Sequence, residues 1–230
     1  MSTGSAKAAP TARTREEALT RREQILQQAA RLFAERGFHG VGVDEIGAAV
    51  GISGPGLYRH FAGKDAMLAE LLVGISQRLL SGGKRRVKEA EGPPRRLLDS
   101  LIEGHIDFAL DDRSLIVLHD RELDRLRESD RKLVRQLQRQ YVELWVEAVR
   151  KVAPALAEAQ ARATVHAVFG LLNSTPHQSA VDATGREAMA ELLHRLARGA
   201  FRAAGETAGG TAGEAVEGTA GEAVGEAGRA

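Results

Sequence analysis

The sequence predicts an all-α protein of about nine helices, and three observations carry that expectation. Apolar residues recur at three- and four-residue spacing along most of the central chain, no segment sustains the two-residue alternation of a half-buried strand, and the interruptions are glycine, proline and serine placed as helix stops, openers and caps. With 230 residues, 43% of them apolar, the chain is long enough to bury one large core or two smaller ones.

Taken in order, Ile25, Ala29, Leu32 and Phe33 share one face of a helix from about Thr20 to Arg36, with Gly37 as its stop. Val43, Ile46 and Val50 mark a short second helix that ends at Gly51. Ser53 caps a third, expected to reach Phe61. Leu68, Leu71, Leu72, Ile75 and Leu79 stripe a longer helix from Lys64 to a break at Ser81-Gly82-Gly83. Pro93-Pro94 opens the next, whose stripe is Leu98, Leu101, His105 and Phe108. Helices over 114–123, 130–152, 154–174 and 185–204 complete the set.

Both ends read differently. Residues 1–18 have no apolar period and form an expected disordered basic arm; residues 1–22 carry five Lys/Arg against two acids. Residues 205–230 hold eight of the 25 glycines in a near-repeat (Thr211-Ala-Gly-Glu-Ala-Val, then Thr219-Ala-Gly-Glu-Ala-Val), too poor in large apolar side chains to offset ordering entropy. The formal charge of +1 conceals this segregation: residues 1–66 carry +2, 67–202 carry +3 and the tail −4. Without cysteine, disulfides, thiol catalysis and cysteine-held metals are excluded. No apolar run reaches the roughly 18–20 residues of a membrane helix, and the N-terminus lacks a secretory signal's apolar stretch, so the expectation is a soluble cytoplasmic protein without a membrane partner.

The informative window is 43–64. Two short helices are joined by a tight turn in which Gly51 supplies a left-handed backbone, Ile52 points back to the core and Ser53 caps the second helix. This is the grammar of a helix-turn-helix, whose second helix enters a DNA major groove. Gly54, Pro55 and Gly56 have almost no side chain, which lets the backbone approach base edges, and Arg59 is the long donor available for a base contact. Arg21 and Arg22 continue the basic arm and are candidates for the DNA backbone or minor groove.

The segment from Arg21 to Leu72 resembles the tetracycline-repressor (TetR) family of bacterial transcription regulators. The resemblance rests on Ile25, Ala29, Phe33, Gly37-Phe38, Val43, Ile46, Val50-Gly51-Ile52-Ser53 and above all on Leu57-Tyr58-Arg59-His60-Phe61 followed by Lys64. It implies phosphate contacts for Tyr58, His60 and Lys64. One departure stands out: where the family commonly has Ser or Thr before its second helix, this chain has Val41-Gly42, which removes that side-chain contact.

The resemblance divides the chain into an arm (1–18), a helix-turn-helix domain (19–66), an effector-binding and dimerisation domain (67–204) and a tail (205–230). Ala159, Ala163, Ala167 and Gly170 form a small-residue face, and Leu192, Leu193, Leu196 and Ala200 line the last helix. Two such helices per chain would form a four-helix bundle across a two-fold axis, as in the family. His105, Phe108, His119, Tyr141, Trp145, His166 and Asn173 are the candidate lining of an effector pocket. The expected function is a ligand-responsive repressor, binding a palindromic double-stranded DNA operator as a homodimer and released by a hydrophobic or acyl-thioester-like small molecule. The alternative is a regulator of the same fold without an effector. Phosphate-loop, zinc-protease and nucleophile-elbow motifs are absent, and the seven histidines show no ligand spacing, so the expectation includes no enzyme activity, cofactor or metal.

Overall fold

The computed structural model describes residues 19–177 and 184–220, with side chains described over 19–176 and 184–207. Among these residues there are nine α-helices and no strands. The basic arm and residues 221–230 of the tail lie outside the described residues.

Helix α1 (Arg21–Arg36) opens on a capping box. Thr20 Oγ1 accepts from the Glu23 backbone N–H, and the Glu23 carboxylate accepts from the Thr20 N–H at 2.8 Å. Gly37, at φ 77°, ends it. After α2 (Val43–Ala49), Gly51 adopts φ 73°, the left-handed value that the turn demands. Helix α3 (Gly54–Leu57) is a single turn, shorter than expected. Two glycines and a proline are poor helix formers, and beyond Leu57 the chain tightens, with Arg59 and His60 bonding back to Gly56 and Leu57.

Helix α4 (Lys64–Glu89) runs through the expected break at Ser81-Gly82-Gly83. Gly83 is buried against α7 (Glu128–Val152), where a Cβ would meet Tyr141 Cε2 at 3.0 Å and Leu144 Cδ1 at 3.1 Å. The glycine admits a closely packed neighbouring helix, and that packing outweighs a helix-propensity cost of about 1 kcal/mol. Helix α5 (Pro94–Asp111) starts on its proline, as expected. Helix α6 (Arg113–Glu122) leads through a 3₁₀ turn to α7, which begins before Ser129 rather than after it. Helix α8 (Glu158–Leu172) starts four residues after Pro154, because the connection dips to bury Leu156. Helix α9 begins at Arg186 and passes the expected end at Ala204 to reach Ala220. Alanine, the strongest helix former, recurs along that extension.

Two hydrophobic clusters hold the fold. One joins α1–α3 to the first half of α4, to Leu115 and Leu118 of α6, and to Leu126 and Val134. The other joins the second half of α4 with α5, α7, α8 and α9. Leu79 packs against both. The division expected at residue 66 therefore falls inside the first core, because α6 returns to pack on α1.

Candidate nucleic-acid interface and effector chamber

The helix-turn-helix is locked from within. Ile52 N–H donates to the Gly47 carbonyl at 2.9 Å, and a Cβ on Gly47 would stand 2.8 Å from the Ile52 carbonyl oxygen. Ser53 Oγ accepts from the Gly56 N–H at 3.3 Å. Gly54 is buried beside the Asp44 carboxylate, so its smallness serves the contact between α2 and α3 rather than an approach to base edges. Exposed here are Ser53, Pro55, Tyr58 and Arg59, with Gly56 and His60 half-buried. Tyr58 is 58% exposed although Leu57 beside it is wholly buried, so the ring is not a core element.

The other cations expected at DNA make bonds within the head. Arg21 donates to the Val50 carbonyl at 2.9 Å, tying α1 to the end of α2. Arg22 forms a two-pronged pair with Glu70 of α4, donates to the His60 carbonyl and lies 4.1 Å above the Phe61 ring. Lys64 Nζ donates to the carbonyls of Phe38 at 2.9 Å and Val41 at 2.7 Å, and stands 4.7 Å from the Phe38 ring centroid. These two bonds pin the loop ahead of α2, where Gly42 provides no side-chain cap. On the other side of that loop the buried Glu122 carboxylate faces the Phe38 N–H at 3.5 Å and pairs with Arg125. Sequence periodicity gave no hint of this contact, since it joins residues 84 apart.

The expected effector residues divide into two groups. His105, Phe108, Tyr141, Trp145 and Asn173 come together; His119 and His166 do not. His119 sits beside the Gln138 amide and Asp120, and His166 is exposed on α8. At the centre His105 is buried, with Nδ1 3.3 Å from the Tyr141 hydroxyl and Nε2 3.1 Å from Asn173 Oδ1. With the amide oxygen as assigned, Tyr141 O–H donates to Nδ1 and Nε2–H donates to Asn173. Burial pushes His105 down to about 4 and Tyr141 up to about 12, so both are neutral near pH 7.

Phe169 completes the cluster, its ring stacked on His105 at 4.5 Å and 6°. It is four residues before Asn173 and shares its helical face, a signal legible in the sequence once Asn173 is singled out. Phe108 and Trp145 meet His105 edge-on at 5.6 and 5.9 Å. These side chains fill one another's space. Trp145 Nε1–H lies within weak hydrogen-bonding reach of the Tyr141 hydroxyl, favouring its ionised form, but attains full hydrogen-bond geometry with no described residue.

On α8, Ala159, Ala163, Ala167 and Gly170 are exposed in a row, and Leu192 and Leu196 are exposed on α9. Leu193 departs from expectation: it is 3% exposed and packs inward, as does most of Ala200. A residue beside Leu192 on a helix turns about 100° away from it, which carries Leu193 into the core.

Comparison with known proteins agrees with this architecture. Residues 25–71 match the family described as bacterial regulatory proteins of the tetR family, and residues 91–203 match the tetracyclin repressor-like C-terminal domain. The transcriptional activator FasR of Mycolicibacterium smegmatis is 36% identical over 88 residues, 38% of this chain and 40% of FasR. The transcriptional repressor KstR2 of Rhodococcus jostii is 33% identical over 128 residues, 55% of this chain and 62% of KstR2. The matches thus span about two to three fifths of these relatives. A TetR-family regulator from Bordetella parapertussis superposes with a TM-score of 0.68 at 24% identity, covering 76% of this chain and 93% of that one. AibR, solved with isovaleryl coenzyme A and operator DNA, superposes at 0.64 with 20% identity, covering 77% and 97%. With the helix-turn-helix at its N-terminal end and the helical body behind it, the chain belongs to the TetR family of DNA-binding transcriptional regulators.

Proposed function

We propose that the chain is a homodimeric repressor that binds a palindromic operator and is released by a hydrophobic or acyl-thioester-like effector. The head presents Pro55, Tyr58 and Arg59 to the groove, with Tyr58 and His60 on phosphates. Arg22 and Lys64 act chiefly by holding that surface in shape, since most of their N–H groups already have protein partners, with the third N–H of Lys64 left for a phosphate; Arg21, exposed and bonded through Nη1 alone, keeps donors free for the DNA backbone. Dimerisation through the exposed α8 stripe with Leu192 and Leu196 sets the spacing of two heads. His166, exposed on α8, belongs to this face rather than to the chamber.

The observation that carries the effector is the buried Trp145 N–H, which reaches full hydrogen-bond geometry with no described residue although it lies close enough to the Tyr141 hydroxyl to favour its ionised form. A buried donor without an acceptor costs about 1–3 kcal/mol, a cost that a bound carbonyl or hydroxyl oxygen would remove. The acyl-thioester class draws support from AibR, a structural neighbour solved with such a ligand. The same cluster favours the second reading, a regulator without an effector, because its side chains fill the chamber.

Fluorescence anisotropy with DNA from the gene's own upstream region tests both. Saturable, sequence-preferring binding that falls steeply with salt and is reversed by acyl thioesters supports the first reading. Binding that no lipophilic or acyl-thioester compound reverses supports the second. The sign of regulation, repression or activation, is read from a reporter fused to that promoter.

A further inference from the structure

Six cations crowd the junction of α4 and α5: Lys84, Arg85, Arg86 and Lys88 near the end of one helix, Arg95 and Arg96 in the first turn of the next. Among the described residues none of the six forms an ion pair. The nearby Asp99 is taken by Arg198 of α9 at 3.1 Å. The first turn of α5 contains no acidic residue and has no side-chain cap, so two arginines stand where the helix end is itself positive. Between the helices lies a depression of about 420 Å³, lined by Arg85, Arg86, Arg96 and Ser100 together with Glu89 and Glu91.

Arg86 connects this surface to the buried cluster. It is half-buried and donates to Ser100 Oγ at 2.8 Å. Its guanidinium occupies the space above Gly104, where a Cβ would stand 2.5 Å from Nε. Gly104 immediately precedes His105, and the charge of Arg86 is felt at the Tyr141 hydroxyl, where it favours ionisation. Arg86 thus stands between the filled aromatic cluster and a depression in which three arginines, none of them in an ion pair among the described residues, outnumber Glu89 and Glu91.

We propose that this depression is the polar mouth of the effector site, binding the carboxylate or phosphate head of an amphipathic anion whose apolar chain enters the chamber past Arg86. The inference rests on the effector reading above and adds where the ligand enters and what charge it bears. A hydrophobic tail would spread the aromatic cluster while Arg85, Arg86, Arg96 and the Ser100 hydroxyl hold the head. Arg121, Arg125 and Arg127, at the end of α6 and in the turn before α7, do not line this depression, and Arg125 is paired with Glu122.

Trp145 is the single tryptophan and lies in the chamber, so its emission reports entry. The full-length protein is titrated with lauroyl coenzyme A, sodium laurate, coenzyme A alone and lauryl alcohol. The comparison is made with R85A/R96A, altered only at exposed side chains, and with G104A, whose new methyl displaces Arg86. The expected result is saturable change with one or both anionic amphiphiles, weakened tenfold or more in R85A/R96A, with lauryl alcohol changed less than twofold. Preference for lauroyl coenzyme A over laurate identifies a phosphate-bearing head; the reverse identifies a carboxylate. Equal affinity in wild type and R85A/R96A overturns the mouth, as does absence of saturable binding by either anion. So does a loss of operator affinity in R85A/R96A with unchanged probe binding, which makes the cations a DNA surface. Operator release measured in parallel separates the two ideas: release of wild type and R85A/R96A at the same anion concentration removes the mouth and keeps the gating, whereas Arg-dependent binding without release does the opposite.

Discussion

The buried His105 gives the fold a definite response to acid. In the unfolded chain its imidazole takes up a proton near 6.5. In the folded chain burial holds that event down to about 4, with the Asn173 bond opposing the shift only in part. Between those values the unfolded state binds the extra proton, so stability is full above about pH 6.5 and falls as the pH drops toward 4. The slope is about 1.4 kcal/mol per pH unit, which gives about 2 kcal/mol between pH 6.5 and 5.0. The assay is urea unfolding followed by Trp145 emission at pH 7.5 and 5.0, at one fixed protein concentration because assembly would also shift the midpoint. His105→Gln keeps hydrogen-bonding capacity but cannot titrate. It should be less stable than wild type at pH 7.5 and lose about 2 kcal/mol less on acidification. Carboxylates titrating at low pH contribute equally to both proteins and cancel in the comparison. Parallel pH slopes in wild type and His105→Gln would refute the reasoning.

Other expectations follow from the same geometry. Lys64→Met removes a charged donor from two carbonyls, so the isolated protein should lose about 2 kcal/mol in thermal unfolding without any DNA present; an unchanged midpoint would return Lys64 to a role on DNA alone. Tyr58→Phe should leave the melting temperature unchanged and weaken operator binding several-fold, measured by anisotropy, because the exposed hydroxyl has no partner among the described residues. Gly47→Ala places a methyl against the Ile52 carbonyl, a backbone atom that cannot step aside, and should cost about 1–3 kcal/mol by chemical denaturation. Leu196→Glu, altering a side chain that is 46% exposed, should convert a dimer to monomer in analytical ultracentrifugation while preserving helical content by circular dichroism.

Much of the fold was legible because helices advertise themselves locally. The 3.6-residue stripe of α5 and the Gly37 stop are properties of consecutive residues, and the structure places them where the spacing predicts. The break expected in α4 was misplaced because a glycine pair has two meanings: a helix stop, or a notch for a neighbour. Only α7, some 60 residues away, decides for the notch. The chamber was half legible. His105, Tyr141, Trp145 and Asn173 were recognisable as polar or aromatic residues on apolar faces; His166 shares Asn173's side of α8 but lies two turns nearer the start of that helix, where it is exposed. In the head, residue type suggested cations for phosphate, whereas the structure engages Arg21, Arg22 and Lys64 with backbone carbonyls. Long flexible side chains have several partners within reach, and sequence spacing does not choose among them.

The shared core of the head and α6 bears on how this regulator can be cut and recombined. A fragment ending at residue 66 would leave Leu57, Phe33 and Phe38 without Leu71, Leu72, Leu115 and Leu118, and would expose much of the surface that folds it. A chimera that transplants the reading head onto another sensor must therefore carry the first half of α4 and the whole of α6, although α6 lies some 50 residues further along the chain. For the same reason the head is discontinuous in sequence: three N-terminal helices share their core with α6, and α4 joins that core to the second one at Leu79, which packs against both.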